Sequence, residues 1–253
     1  MVIYGVAMVP LAERLREEAP RTMQAWYADD SAVSGKASDI GRVVARLCEL
    51  GPAYGYYPEP AKSVVVSRQS QRAGAERHLQ TFGFRYSLGK RYLGSFVGSD
   101  ATRDAWLRPK VEAWANGVRA LARVARRYPQ AAYAGLTKSL QCEWQFTQRV
   151  TPDSARLFEP VENALRNHFV PALLGDGNEV EHDLRILTSL GVKQAGVGIA
   201  DPTATADACF AASEAATMAL TKALLDGTPL DVAAHNAKVR RANADARKAR
   251  VAV

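Results

Sequence analysis

A change of periodicity near residue 103 constrains this chain more than any other feature. From there the stretch TRDAWLRPKVEAWANGVRALARVARRYP sets Trp106, Leu107, Val111, Trp114, Val118, Leu121 and Val124 along one stripe at helical spacing. Before it, short β-prone runs alternate with helical ones. The pattern therefore predicts an α+β fold for about residues 1–100, a small antiparallel sheet with helices on one face, and an all-α remainder. Hydrophobic residues make up 47% of the 253, enough for a real core, so wholesale disorder is excluded.

In the first part, MVIYGVAMVPL reads as the apolar face of a helix starting at or before Met1. It has no basic leading region and runs into LAERLREE, so it does not read as a signal peptide. Residues 23–27 and 31–34 read as two strands joined at Asp29 and Asp30, a hairpin by pattern. Ser38-Asp39 reads as a helix N-cap, with Ile40, Val43, Val44, Leu47 and Leu50 behind it and Gly51-Pro52 as the stop. SVVVS is a strand, 70–81 a helix closing at Gly83, and FRYS with RYLGSFVG a strand pair around Gly89. Beyond residue 128, helices are expected at about 130–149, 153–172 and 204–225. GDGNE is a turn, LTSLGVKQAGVGIADP a glycine-containing loop, and the basic tail from Asn236 is expected to fray.

Charge points weakly to a polyanion. Lys and Arg outnumber Asp and Glu by 33 to 26. The excess concentrates in the long helix, where Arg103, Arg108, Lys110, Arg119, Arg123, Arg126 and Arg127 stand against Asp104 and Glu112. Such a face suits phosphates, and it equally suits a solvated surface. The three cysteines are far apart and the four histidines lack ligand spacing, which argues against zinc and for a reducing, intracellular compartment, nuclear or cytoplasmic. No apolar run approaches the roughly 18 to 20 residues that cross a bilayer, so no membrane is expected.

Adjacent carboxylates between two apolar segments need an explanation, because burying either is costly unless it is neutralised. A divalent cation would neutralise both, and a plain Asp-Asp turn is the simpler alternative. Here Tyr27-Ala28-Asp29-Asp30, between β-prone flanks, resembles the Y-x-D-D signature of reverse transcriptases. The later order also resembles that family: a helix, GYYPEPAKSVVV with Lys62, RYLGSFVG with Tyr92-Leu93-Gly94, then a helical block. LGVKQAGVGIADP is similar to a stretch downstream of the polymerase core in the non-LTR retrotransposon enzymes, although Gly196 and Gly198 are split by Val197 where that stretch has a glycine pair.

The resemblance implies roles. Asp29 and Asp30 would hold Mg²⁺ or Mn²⁺ for two-metal nucleotidyl transfer to a primer 3′-hydroxyl. Lys62 would stand near the leaving pyrophosphate. Tyr27 would lie under the last primer base or the incoming nucleotide, and Tyr92, Leu93 and Gly94 would grip the primer backbone. Arg119 and Arg123 would face the phosphates. RNA template, DNA primer and deoxynucleotide triphosphates are the implied partners. The implied layout is a partial palm over 1–100, a helical thumb over 101–175 and a helical extension with a basic tail over 176–253.

The family also uses a third carboxylate on an earlier strand and a Q-G loop, and neither occurs in these residues. Two adjacent carboxylates alone would under-coordinate a pair of ions. The expectation is therefore a carboxyl-terminal fragment, inactive by itself, whose missing amino-terminal segment is encoded upstream or supplied separately. A non-catalytic nucleic-acid-binding remnant is the alternative. A receiver-type phosphoryl-transfer domain would need a parallel sheet with helices on both sides, against the hairpin reading. The GxG at Gly196 and Gly198 is no dinucleotide fingerprint, since Asp201 stands where the third glycine would fall.

Overall fold

The structure, a computed structural model, describes residues 2–27, 30–175 and 180–249. Contacts divide the chain into two compact units, Met1–Lys90 with Val97–Ser99 and Arg91–Phe96 with Asp100–Val253. The whole is mostly helical, with a few short strand pairs.

The first unit is built on two helices. Helix α1 (Val2–Glu18) brings Met8, Leu11 and Leu15 onto one face by their spacing, and α2 (Ala37–Leu50) answers with Val43 and Leu47. Leu11 and Leu15 are fully buried, each worth about 1.5–3 kcal/mol. Trp26, Val33, Tyr54 and Tyr56 close over this small core. Helix α2 begins differently from its sequence signal. Its N-cap is Lys36, with no capping side chain, and Asp39 lies buried inside the first turn, paired with Arg42. A carboxylate near a helix start is favourable without being the cap, because unsatisfied amides there carry partial positive charge.

Among the described residues the expected single antiparallel sheet is replaced by three two-stranded pairs. Strands β1 (Met23–Tyr27) and β2 (Asp30–Ser34) are antiparallel, from Met23 opposite Ser34 to Tyr27 opposite Asp30. Strand β3 (Val64–Val66) runs parallel to β4 (Arg85–Ser87). Helix α3 (Arg72–Leu79) lies between them in sequence and supplies the crossover that parallel strands require. FRYS therefore leaves the expected hairpin, which forms without it from β5 (Gly89–Tyr92) and β6 (Ser95–Gly98).

The second unit packs helices around one large core. Helix α4 (Asp100–Ala125) buries Leu107, Val111, Trp114 and Val118, while Val124 of the predicted stripe is exposed. The predicted helix at 130–149 forms as α5 (Pro129–Gly135) and α6 (Gln141–Val150), joined by a π-turn over Leu136–Leu140. The next forms as α7 (Glu159–Ala164) and α8 (Val170–Leu174), joined by a second π-turn. Trp144, Phe158, Leu165 and Phe169 are fully buried between them, with Trp114 stacked on Phe158 at 6.2 Å. Helix α9 (His182–Ser189) takes the first residues of the expected glycine-containing loop.

Helix α10 (Pro202–Asp226) carries both end signals: Asp201 accepts from the Thr203 and Ala204 amides, and Gly227 closes the end with positive φ. It buries Ala206 in the same core as Trp144. By length and composition alone it could cross a membrane, at mean hydropathy 1.2, which the expectation of no such run had missed. Helix α11 (Val232–Ala249) is regular where fraying was expected, because it packs along α10.

Candidate functional site

The β1–β2 hairpin builds the first candidate site. Alternation along β1 turns Gln24 and Trp26 inward and leaves Met23, Ala25 and Tyr27 outward. Trp26 packs edge-on against Tyr56, whose hydroxyl lies 2.8 Å from Ser31 Oγ. Those contacts hold both strands against the unit's core and fix the register. A two-residue link then spans Tyr27 and Asp30. Tyr27 is 58% exposed and Asp30 is exposed beside it. Asp29 lies outside the described residues.

Asp30 is thus the described carboxylate at this tip. Among the described residues no group of three His, Cys, Asp or Glu side chains could hold a metal ion. The described donors do not fit a two-ion centre, and no catalytic step through Mg²⁺ or Mn²⁺ is derived from them. Lys62, in the same unit, ends a short 3₁₀ turn before β3. Its ammonium is 2.7 Å from Glu59 Oε2, and both side chains are well exposed. An exposed pair of this kind contributes little, so Lys62 keeps the mobility of a surface lysine.

The second candidate element is the tip of the β5–β6 hairpin, in the other unit. Its link is Leu93-Gly94, with φ of 46° and 85°. Two positive φ values in a two-residue link match the right-handed twist of the strands, and Leu93 takes a conformation that glycine or asparagine ordinarily fills. Leu93 is 46% exposed there. A Cβ on Gly94 would lie 2.9 Å from the Phe146 ring, so the backbone passes the ring at close range. Ser95 Oγ donates to the Val150 carbonyl at 2.6 Å and ties the hairpin to α6. Phe96 stacks on Trp106 at 5.4 Å.

The basic helix divides into an inner and an outer part. Arg103 is buried, bonded to Asp104 and Asp100, which removes it from the expected outward face. Asp104 also accepts from Arg156 at 2.6 Å. Burial works against ionisation of the Asp104 carboxyl, but the two guanidiniums overcome it and hold that carboxyl below its usual range. Lys110 lies over the rings of Trp106 and Trp114 at 5.0 and 5.9 Å. What remains at one end is Arg119, half-buried, and Arg123, exposed four residues on along the same side of α4, with Arg126 and Arg127 exposed in the turn that follows the helix. Arg119 donates to Asn116 at 2.8 Å, and Arg127 covers the exposed ring of Tyr128 at 5.3 Å. A cationic run ending on an aromatic face can follow a phosphate backbone and stack a base.

No family model, curated protein or solved structure matches this chain. The site therefore stands on its own chemistry.

One feature of the second unit escaped sequence reasoning. The segment 197–202, read as part of a loop, is held by side chains at almost every carbonyl. Tyr133 donates to Val197, Gln141 to Gly198, Arg185 to Ile199 and Gln148 to Pro202, all within 3.1 Å. Arg185, buried, also grips the half-buried Glu162 through two bonds of 2.6 and 2.7 Å. The partners lie 14 to 64 residues apart, so no local pattern announces them. Buried carbonyls need donors, and that is the physical signal behind the Arg and Gln here.

Proposed function

We propose that the chain is later palm and thumb of an RNA-directed DNA polymerase of the non-LTR retrotransposon kind, and that it holds RNA template and DNA primer. The observation that carries this reading is the β1–β2 hairpin. It sets Tyr27 and Asp30 opposite one another across two residues, with both side chains exposed, as a Y-x-D-D tip requires. The Leu93-Gly94 hairpin and the basic run of Arg119, Arg123, Arg126 and Arg127 support it as surfaces able to meet a nucleic-acid backbone. Under this reading Asp29 and Asp30 supply part of a metal site, and the remaining carboxylate comes from a segment outside these residues. The 253 residues by themselves bind template–primer and do not extend it.

The second reading is a nucleic-acid-binding remnant with no chemistry, for which the basic residues Arg119, Arg123, Arg126 and Arg127 are sufficient. Salt titration tests what the two share. The logarithm of the affinity for an RNA–DNA duplex, read by fluorescence anisotropy, is expected to fall linearly with log salt. Arg119→Ala with Arg123→Ala is expected to weaken the slope by about 2, one for each phosphate that no longer meets a guanidinium. Binding that ignores ionic strength, or a slope unchanged in the double variant, contradicts both readings.

A further inference from the structure

A concave surface of about 480 Å³ lies in the second unit, between α4 and the start of α7. That volume is in the range of small-molecule sites. Its floor is apolar: Val111 and Leu157 are buried, and Pro160 lines it with them. Around the floor stand two cations and two anions, Arg108 and Arg156 against Glu112 and Glu159. Arg156 is already bonded to Asp104 at 2.6 Å, which fixes its guanidinium in place. The other three are exposed, and among the described residues none of their side chains has a hydrogen bond or an ion pair. Arg108 and Glu112 stand four apart on α4, within pairing reach, and still do not neutralise one another.

Both signs of charge around one apolar floor select the ligand. A phosphate, or any anion without a cationic group, meets two carboxylates there, and a bare cation meets two guanidiniums. An uncharged apolar molecule would strip water from the charges without pairing them. A ligand with one anionic end, one cationic end and apolar groups between them satisfies every group. Length narrows the class. Side chains four apart on a helix start about 5–6 Å from one another, and two extended peptide residues span about 7 Å. The termini of a dipeptide therefore reach Arg108 and Glu112 together, whereas a free amino acid carries both charges on one carbon. A guanidinium fork suits a terminal carboxylate, and an ammonium has donors for both Glu112 and Glu159.

We propose that this cleft binds a short zwitterionic peptide, with its carboxylate on Arg108, its amino terminus on Glu112 and Glu159, and its apolar side chains over Val111 and Leu157. The inference stands apart from the polymerase reading and survives its failure. Isothermal titration of the full chain with leucyl-leucine tests it, beside N-acetyl-leucyl-leucine and leucyl-leucinamide, which each lack one charged end. The free dipeptide is expected to bind with a Kd of about 1 mM or below, and each capped form about tenfold more weakly or worse. Arg108→Gln is expected to weaken the free dipeptide about tenfold, and so is Glu112→Gln with Glu159→Gln. Circular-dichroism melts check that these exposed substitutions leave the fold intact, and the capped peptides test the same charges with no substitution at all. Arg119→Gln, about three turns further along α4, is expected to leave the affinity unchanged. No binding at about 10 mM dipeptide, full affinity in either capped form, or indifference to both cleft variants overturns the proposal. So does a loss in Arg119→Gln equal to that in Arg108→Gln, which would assign the binding to overall charge.

Discussion

The two units spend their residues differently. The first has a core of a few side chains from α1 and α2, and its strands run out to exposed tips. The second buries four large aromatic rings and locks a loop with one inward ion pair and side-chain amides. A chemically interesting tip such as Tyr27–Asp30 costs nothing to expose, whereas Arg185 and Glu162 are tolerated inside only because each satisfies the other. Stability is thus concentrated in the second unit, while Asp30, which matters to the proposal, sits at an exposed strand end of the first.

The largest test of that contrast is in the second unit's core. Phe158→Ala is expected to cost about 3–5 kcal/mol in urea unfolding, with loss of the near-ultraviolet signal from stacked Trp114. Arg185→Ala comes next, at about 3 kcal/mol, because it strands Glu162 and frees the Ile199 carbonyl. If either variant unfolds with an unchanged midpoint, the second unit is not the stable one.

Acid gives a smaller effect with a defined sign. The Asp104 carboxyl is held below its usual range by Arg103 and Arg156. Its contribution is present above the unfolded carboxylate value of about 3.9 and is lost as pH falls through the lower folded value. Asp104→Asn should therefore show a shallower loss of stability than the wild type below about pH 4. Equal slopes in the two proteins would remove the ion pair from the account.

Much of this was legible in the sequence, for reasons that particular residues show. The hairpin at the aspartates followed from β-prone flanks, and α4 from the Leu107–Val111–Trp114–Val118 spacing, because both signals are local. The parallel pairing of β3 with β4 was not legible, since Val64 and Arg85 meet only through a crossover. Nor was the burial of Arg103, whose side chain looks like its solvated neighbours until Arg156 arrives from 52 residues further along to share Asp104. Regular helix over 236–249 was missed because α10, not the tail's own composition, supports it.

The central proposal is that the Tyr27–Asp30 tip would serve a metal at a primer end rather than merely turn the chain. The direct measurement is the effect of Mg²⁺ on template–primer affinity at constant ionic strength, in the wild type and in Asp29→Asn with Asp30→Asn. The account predicts that Mg²⁺ tightens binding of the wild type severalfold and leaves the double variant unaffected. Identical Mg²⁺ responses in the two proteins would contradict it.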